Sequence, residues 1–383
     1  MINKNKMPLA IGVAFVAFTT QFGGGFASGA QIYQYFVNYG IWSLFLPILS
    51  QLLIAVFFWY GMRYAYRKKT YDYRSFSDSF YGKTAPIFSN LYELVYLMLI
   101  CLAPAVAFAT GGSTLQQLTN IPYWLCTLVI GIFIFAIALF GTEIVRKCAS
   151  TLSVLIIVGL VVVLVPNIIA QWGNITAAIS QMSTGALPVG SVESGSFGSA
   201  FWRSIVYFLF QLASIGLMYQ HVEPLEDEKQ IKKAAIYTFI VNTVAMLMTV
   251  LGMMAIAFRP ELEEVAVPML LLVQNGVGQI VLTPIISILI ILGAISTAVN
   301  MIAGIVTRTV NSLEKKETEE VAKKKRMMRS TVASLLFTLL AFGIAQFGLI
   351  PLVGKGYAYL GYVTLVVVAI PFIIHFVMDM RKK

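Results

Sequence analysis

Gln21-Phe22-Gly23-Gly24-Gly25-Phe26-Ala27-Ser28-Gly29 falls inside an apolar run that extends from Pro8 to Val37. Each glycine disfavours helix by about 1 kcal/mol relative to alanine, so three in succession oppose a continuous helix. In a lipid bilayer an unwound backbone is tolerated only where protein or a water-filled cavity takes up its N–H and C=O groups. Two readings of the triplet follow: a pocket at mid-membrane, or close helix packing through small residues.

The chain around it is built for a bilayer. Of its 383 residues, 58% are hydrophobic and 11% charged. A soluble domain carries about twice that charged share. Runs of about twenty apolar residues match a hydrocarbon core roughly 30 Å thick. Ten crossings can be drawn, over 8–37, 41–62, 85–111, 121–141, 144–171, 198–222, 234–258, 279–307, 330–348 and 357–378. The fold class is therefore all-α and polytopic, a single transmembrane domain over 1–383. The first, third and eighth runs exceed a simple span, which fits tilt or interruption. Lys4 and Lys6 ahead of the first run, with small residues at Ala27 to Gly29, imitate a secretory signal. Because the apolar pattern continues through Ile32 to Val37, we read an uncleaved first helix.

The formal charge of +10 does not indicate nucleic acid, because the basic residues cluster between the apolar runs and leave no basic face. All but three of the 27 lysines and arginines fall in segments on one side; the exceptions are Arg203, Arg259 and Lys355. The positive-inside bias then places both termini in the cytoplasm of a cell-membrane protein. Cys101, Cys126 and Cys148 lie in or beside apolar runs without paired spacing or nearby histidines, so they read as buried small hydrophobes. Residues 172–197 suggest a short surface helix in their NITAAISQM stretch. In Arg259 to Gly278 the apolar VPMLLLVQNG is too short to span and reads as a lid folded back on the bundle. The run EKKETEEVAKKKRMMRS reads as a solvated helix of mixed charge.

A second interruption, Gln211-Leu212-Ala213-Ser214-Ile215-Gly216, lies in the sixth run, half a chain length from the first. Paired breaks at matching positions of two halves point to an inverted-repeat transporter site. The halves would be 8–171 and 198–378, and five helices in each force them to lie antiparallel. Candidate solute-binding residues are Gln21, Gly23, Gly24, Gly25, Tyr96, Gln211, Ser214 and Gly216. For Gln21 and Gln211, capping of broken helix ends competes with solute contact. Glu93, deep in SNLYELVYLML, is a proton-coupling carboxylate, a partner for a cationic solute, or a structural carboxylate bonded near the inner face. Tyr96 lies one turn on, with Tyr92 in reserve. Asn242, Asn300 and Gln51 suit interhelical hydrogen bonds, and His375 with Asp379 an interfacial pair. No Walker A loop, HExxH, catalytic triad signature or CxxC appears, so nothing points to an enzyme.

Three further matches carry a resemblance. GGGFASG sits at a first-helix break, Gly141-Thr142-Glu143-Ile144-Val145-Arg146-Lys147 opens helix five, and Gly293-Ala294-Ile295-Ser296-Thr297 lies in helix eight. Together they make the chain resemble the amino acid–polyamine–organocation superfamily with its LeuT-like fold, and within it the small YkvI-type bacterial membrane proteins. The resemblance implies a sodium site formed by the Ser296 and Thr297 hydroxyls, the Gly293 carbonyl and carbonyls near Thr19 and Phe22. Hydroxyls that bond back to the preceding turn, with no ion, are the competing reading. Sodium-independent relatives fill that space with a helix-five lysine, whereas here the embedded part from Ser150 onward has none. The resemblance also makes a helix-three tyrosine a substrate or gate contact. The resulting expectation is sodium-coupled import of a small organic solute, an amino acid or similar zwitterion, by alternating access. Proton-coupled or exchange transport using Glu93 is one alternative, and a non-transporting ligand-sensing receptor subunit on the same fold is another.

Overall fold

The computed structural model describes residues 8–140, 142–191, 195–314 and 319–381. Gly141, the side chains of Thr142 to Cys148, and Lys4, Lys6, Lys315, Lys316, Lys382 and Lys383 lie outside the described residues. Everything described is helical or irregular, with no strand. Among the described residues, seven helices are long and apolar enough to cross a membrane. An eighth results if Val154–Ala170 and Trp172–Ser183, bent by 75°, count as one span. Leu9–Gln21 and Tyr123–Leu139 are shorter apolar helices at two more of the ten expected positions. The surface agrees with a lipid environment: Ile132, Phe133, Ile169 and Leu336 are among many large apolar side chains left exposed.

The first run is broken twice. Helix α1 (Leu9–Gln21) stops at Phe22, and α2 (Gly24–Ala27) restarts from an extended Gly23. Gly29 then turns left-handed, at φ +81°, before α3 (Ala30–Tyr35). After α4 (Leu46–Lys68), the short amphipathic α5 (Tyr73–Tyr81) leads into α6 (Ala85–Thr119). Helices α7 (Tyr123–Phe140) and α8 (Thr142–Ala170) follow, and α9 (Trp172–Ser183) is the expected surface helix.

The sixth run departs from a clean break. Helix α10 (Phe197–Leu212) tightens into 3₁₀ turns over Ala213–Leu217 and Tyr219–His221. Small and polar residues there permit the tighter winding without unravelling the chain. Beyond α11 (Glu228–Met254), α12 (Pro268–Gln274) folds back and buries Pro268 to Val273, as the lid reading expects. Its Met269 N–H donates to the Ser28 carbonyl at 2.9 Å, so the lid satisfies one backbone group released by the helix-one break. A Cβ on Gly29 would lie 2.9 Å from Met253 Sδ and 3.3 Å from the Met269 nitrogen. With its left-handed φ, Gly29→Ala is expected to cost about 1–3 kcal/mol. A drop in thermal unfolding temperature of several degrees checks this, and an unchanged midpoint refutes it.

Helix α13 (Gln279–Glu314) packs on α6, α8 and α2. Helix α14 (Glu319–Ala345) begins well before the expected 330, because the charged run continues as helix into the span. Gly348, at φ +88°, reverses the chain into α15 (Leu349–Arg381), which starts eight residues before the expected 357 and includes Lys355. Two π-helical turns, Leu352–Gly356 and Leu365–Ala369, widen α15 and release carbonyls. Tyr35 Oη donates to the Val353 carbonyl at 3.1 Å, Arg203 to Gly354 at 2.7 Å, and Tyr81 Oη to Val367 at 2.7 Å.

Ion pairs gather the basic segments at one end of the bundle. Glu228 bridges Arg63 and Arg67, and Arg308 joins Glu93. We call this the basic end.

Candidate functional site

A cavity of about 40 Å³ lies at the helix-one break. Thr20, Gln21, Gly23, Gly24, Gly25 and Gln31 line it from the first run. Phe210, Gln211 and Ser214 come from α10, Thr297 and Met301 from α13, Leu99 and Val106 from α6, and Tyr357 from α15. That volume admits a few water molecules or a small ion, and a larger solute needs side chains to move.

The break explains the cavity's polarity. The Gly23 carbonyl takes the N–H groups of both Phe26 and Ala27, while Phe22 N–H returns to Phe18. Among the described residues, the carbonyls of Thr19, Thr20 and Phe22 receive no hydrogen bond, and the N–H groups of Gly23, Gly24 and Gly25 donate none. The Gln21 carbonyl receives Gln211 Nε2 at 3.2 Å, and the same nitrogen reaches Tyr207 Oη at 3.2 Å. The Gln21 side chain is 2% exposed, and neither its amide nitrogen nor its oxygen has a partner. Of these groups, the free glycine N–H groups, the Thr20 carbonyl and the Gln21 amide belong to residues that line one gap, where water is scarce and leaving them unmade is costly.

Both readings of the glycine triplet are realised. A Cβ on Gly23 would lie 3.1 Å from Thr297 Oγ1, and one on Gly24 would meet Ala294 Cβ at 3.1 Å and Thr110 Cβ at 3.2 Å. A Cβ on Gly25 would approach Val106 at 3.2 Å. The small residues let α6 and α13 close on the break, and the break opens a cavity between them.

Of the residues named from sequence, Gln21, Gly23, Gly24, Gly25, Gln211, Ser214 and Thr297 line the cavity. Thr19, Phe22, Gly293 and Ser296 do not line it, although Gly293 lies one turn from Thr297 and accepts its hydroxyl at 2.9 Å. Ser214 Oγ donates to the Gln211 carbonyl at 2.7 Å. Gly216, Tyr96 and Glu93 belong to a layer nearer the basic end. A Cβ on Gly216 would lie 3.0 Å from Tyr92 Oη and 3.2 Å from Tyr73 Cβ. The Tyr73 and Tyr96 rings stack at 4.7 Å, and the Arg308 guanidinium sits 4.8 Å above Tyr73. Glu93 pairs with Arg308, accepts Tyr73 Oη at 3.0 Å and lies 3.7 Å from Arg74. His375 bonds Tyr60 Oη through Nδ1 at 2.6 Å.

On the opposite side of the cavity, Phe210 and Tyr357 stack at 4.7 Å, and Arg203 lies 4.2 Å over the Tyr35 ring. Sequence reading did not single out Thr20, Gln31, Met301, Phe210, Tyr357 or Arg308. Thr20 and Gln31 were visible as polar residues in an apolar run, but Tyr357 and Arg308 join the arrangement only through packing.

Comparison with solved structures finds a similar fold in two membrane transporters. One match, at a TM-score of 0.57 and 12% identity, is the substrate-bound outward-open state of a Na+-coupled sialic acid symporter. It covers 89% of this chain and 74% of that one. A second, at a TM-score of 0.50 and 13% identity, is the Eremococcus coleocola manganese transporter in complex with an aromatic bis-isothiourea substituted compound, covering 96% of this chain and 85% of that one. At these identities the likeness is one of fold. No family model matches the chain. No curated protein matches it either.

Proposed function

We propose that this chain is a secondary transporter of the amino acid–polyamine–organocation type, importing a small zwitterionic solute by alternating access around the helix-one cavity. Its halves, 8–171 and 198–378, act as the inverted repeats, and the basic end faces the cytoplasm. The observation that carries the reading is the set of unclaimed N–H groups on Gly23 to Gly25 beside the unclaimed Thr20 carbonyl and Gln21 Oε1, all on residues that line the cavity. Such donors suit a carboxylate and such acceptors an ammonium group, and an amino acid presents both. None of the lining residues carries a carboxylate or imidazole, so a manganese-type divalent site is a poor fit.

Sodium coupling rests on Thr297, whose hydroxyl faces Gly23, and on the free Thr19 and Phe22 carbonyls. Hard oxygen ligands of this kind suit a monovalent cation, and the Thr297 bond to Gly293 would be exchanged for it. Uptake of a mixed amino-acid panel into proteoliposomes is expected to require external sodium over potassium. Thr297→Val is expected to raise the sodium concentration for half-maximal uptake about tenfold, the loss of one charge-assisted ligand. Uptake indifferent to sodium removes the ion assignment, and saturable binding without flux favours a ligand-sensing receptor.

A further inference from the structure

A second cavity, of about 380 Å³, opens at the basic end between α4 and α15, away from the helix-one site. Its walls are Tyr60, Arg63, Tyr64, Arg67, Lys68, His375 and Asp379. We propose that it binds the phosphodiester of an anionic phospholipid from the leaflet at the basic end, with the acyl chains lying along α15.

The charges support a singly charged anion. Glu228 engages Arg63 Nε at 2.8 Å and Arg67 Nε and Nη2 at 2.5 and 3.0 Å. Among the described residues, both Arg63 terminal nitrogens, Arg67 Nη1 and the Lys68 ammonium make no other hydrogen bond or ion pair, and the Arg63 guanidinium lies 5.4 Å over the Trp59 ring. Three cations thus face two carboxylates, Glu228 and Asp379, leaving one positive charge for a phosphodiester to neutralise. The Arg63 and Arg67 forks retain N–H groups that suit its oxygens. Tyr60 and Tyr64 provide the amphipathic rings found at headgroup depth. Asp379 supplies an acceptor for a hydroxyl on the headgroup.

What selects a lipid over a free phosphate is the apolar surface that adjoins the cations. Within a turn of His375 and Asp379, α15 exposes Ile374 at 54%, Val377 at 37% and Met378 at 53%. A soluble anion would leave that strip unused, whereas an acyl chain covers it while the phosphate reaches Arg67 and Lys68. Basic pockets between membrane helices at the inner leaflet bind headgroups by this division of labour.

The purified full chain, in mild detergent, can be titrated with dioleoylphosphatidylglycerol, dioleoylphosphatidylcholine, glycerol 3-phosphate or inorganic phosphate, reading adducts by native mass spectrometry and stability by thermal unfolding. Phosphatidylglycerol is expected to be retained and to raise the unfolding temperature, and phosphatidylcholine to do neither. Lys68→Gln and Arg67→Gln are each expected to weaken retention about fivefold, the contribution of one basic residue near an anionic surface. Lys83→Gln, on the same end but outside the cavity, leaves it unchanged. Equal retention of the two lipids overturns the proposal, as does displacement by millimolar glycerol 3-phosphate or inorganic phosphate, which would make the ligand a free anion. Equal losses in Lys68→Gln and Lys83→Gln also overturn it, because they would show only diffuse surface attraction. Since Lys68 is exposed and unpaired, its variant retains the fold.

Discussion

Gly24→Leu is expected to reduce solute uptake to background while the protein still inserts and folds. A Cβ at this position already comes 3.1 Å from Ala294 Cβ and 3.2 Å from Thr110 Cβ and Cγ2, closer than ordinary van der Waals contact. The further atoms of leucine must displace α6 or α13, or project into a cavity of about 40 Å³. Overpacking of this kind costs about 1–3 kcal/mol. Because the strain falls on the segment that presents the Gly23 to Gly25 N–H groups, solute binding should suffer more than stability. Gly24→Ala adds only the Cβ and is expected to lower uptake several-fold. Uptake and thermal unfolding measured on the same preparations separate the two effects. Wild-type transport by Gly24→Leu would place the solute elsewhere.

Glu93→Gln is expected to open the basic end without abolishing transport. Glu93 and Arg308 are 26% and 32% exposed, so water weakens their attraction, and we discount the pair to about 1 kcal/mol. Tyr73 and Tyr96 share the same guanidinium, so losing the carboxylate loosens a layer as well as a pair. The population open at that end should rise about fivefold. In a background lacking Cys101, Cys126 and Cys148, labelling of Ser214→Cys by a reagent applied at the basic end should accelerate accordingly. A proton-coupling Glu93 predicts the reverse pattern: unchanged labelling, with uptake no longer driven by a pH gradient. Running both assays on one variant therefore separates a gate from a proton carrier.

Glu93 also shows where sequence reading reaches its limit. A carboxylate within an apolar run must be costly or functional, and that inference holds for any fold. Its partner was hidden because Arg308 lies over two hundred positions later and was counted only as a cytoplasmic charge. Gly216 is a similar case. A small residue beside Ser214 suggested the cavity, but the 3₁₀ winding of Ala213–Leu217 turns it toward Tyr92 and Tyr73. Winding depends on what the neighbouring helices permit, and the sequence of one segment does not contain that.

What the chain alone determined are properties that add up locally. Hydrophobic length sets the crossings, charge clustering sets the two ends, and three adjacent glycines set the break, because transfer energies and helix propensity act over a few consecutive residues. The lid was legible for the same reason, as a stretch too short to span and too apolar for water. Only the tertiary structure decided that Met269 closes onto Ser28, that Tyr357 stacks on Phe210, and that a cationic recess forms between α4 and α15. Each of these joins residues distant in sequence, and side-chain direction and packing between helices choose among many partners that composition leaves equal.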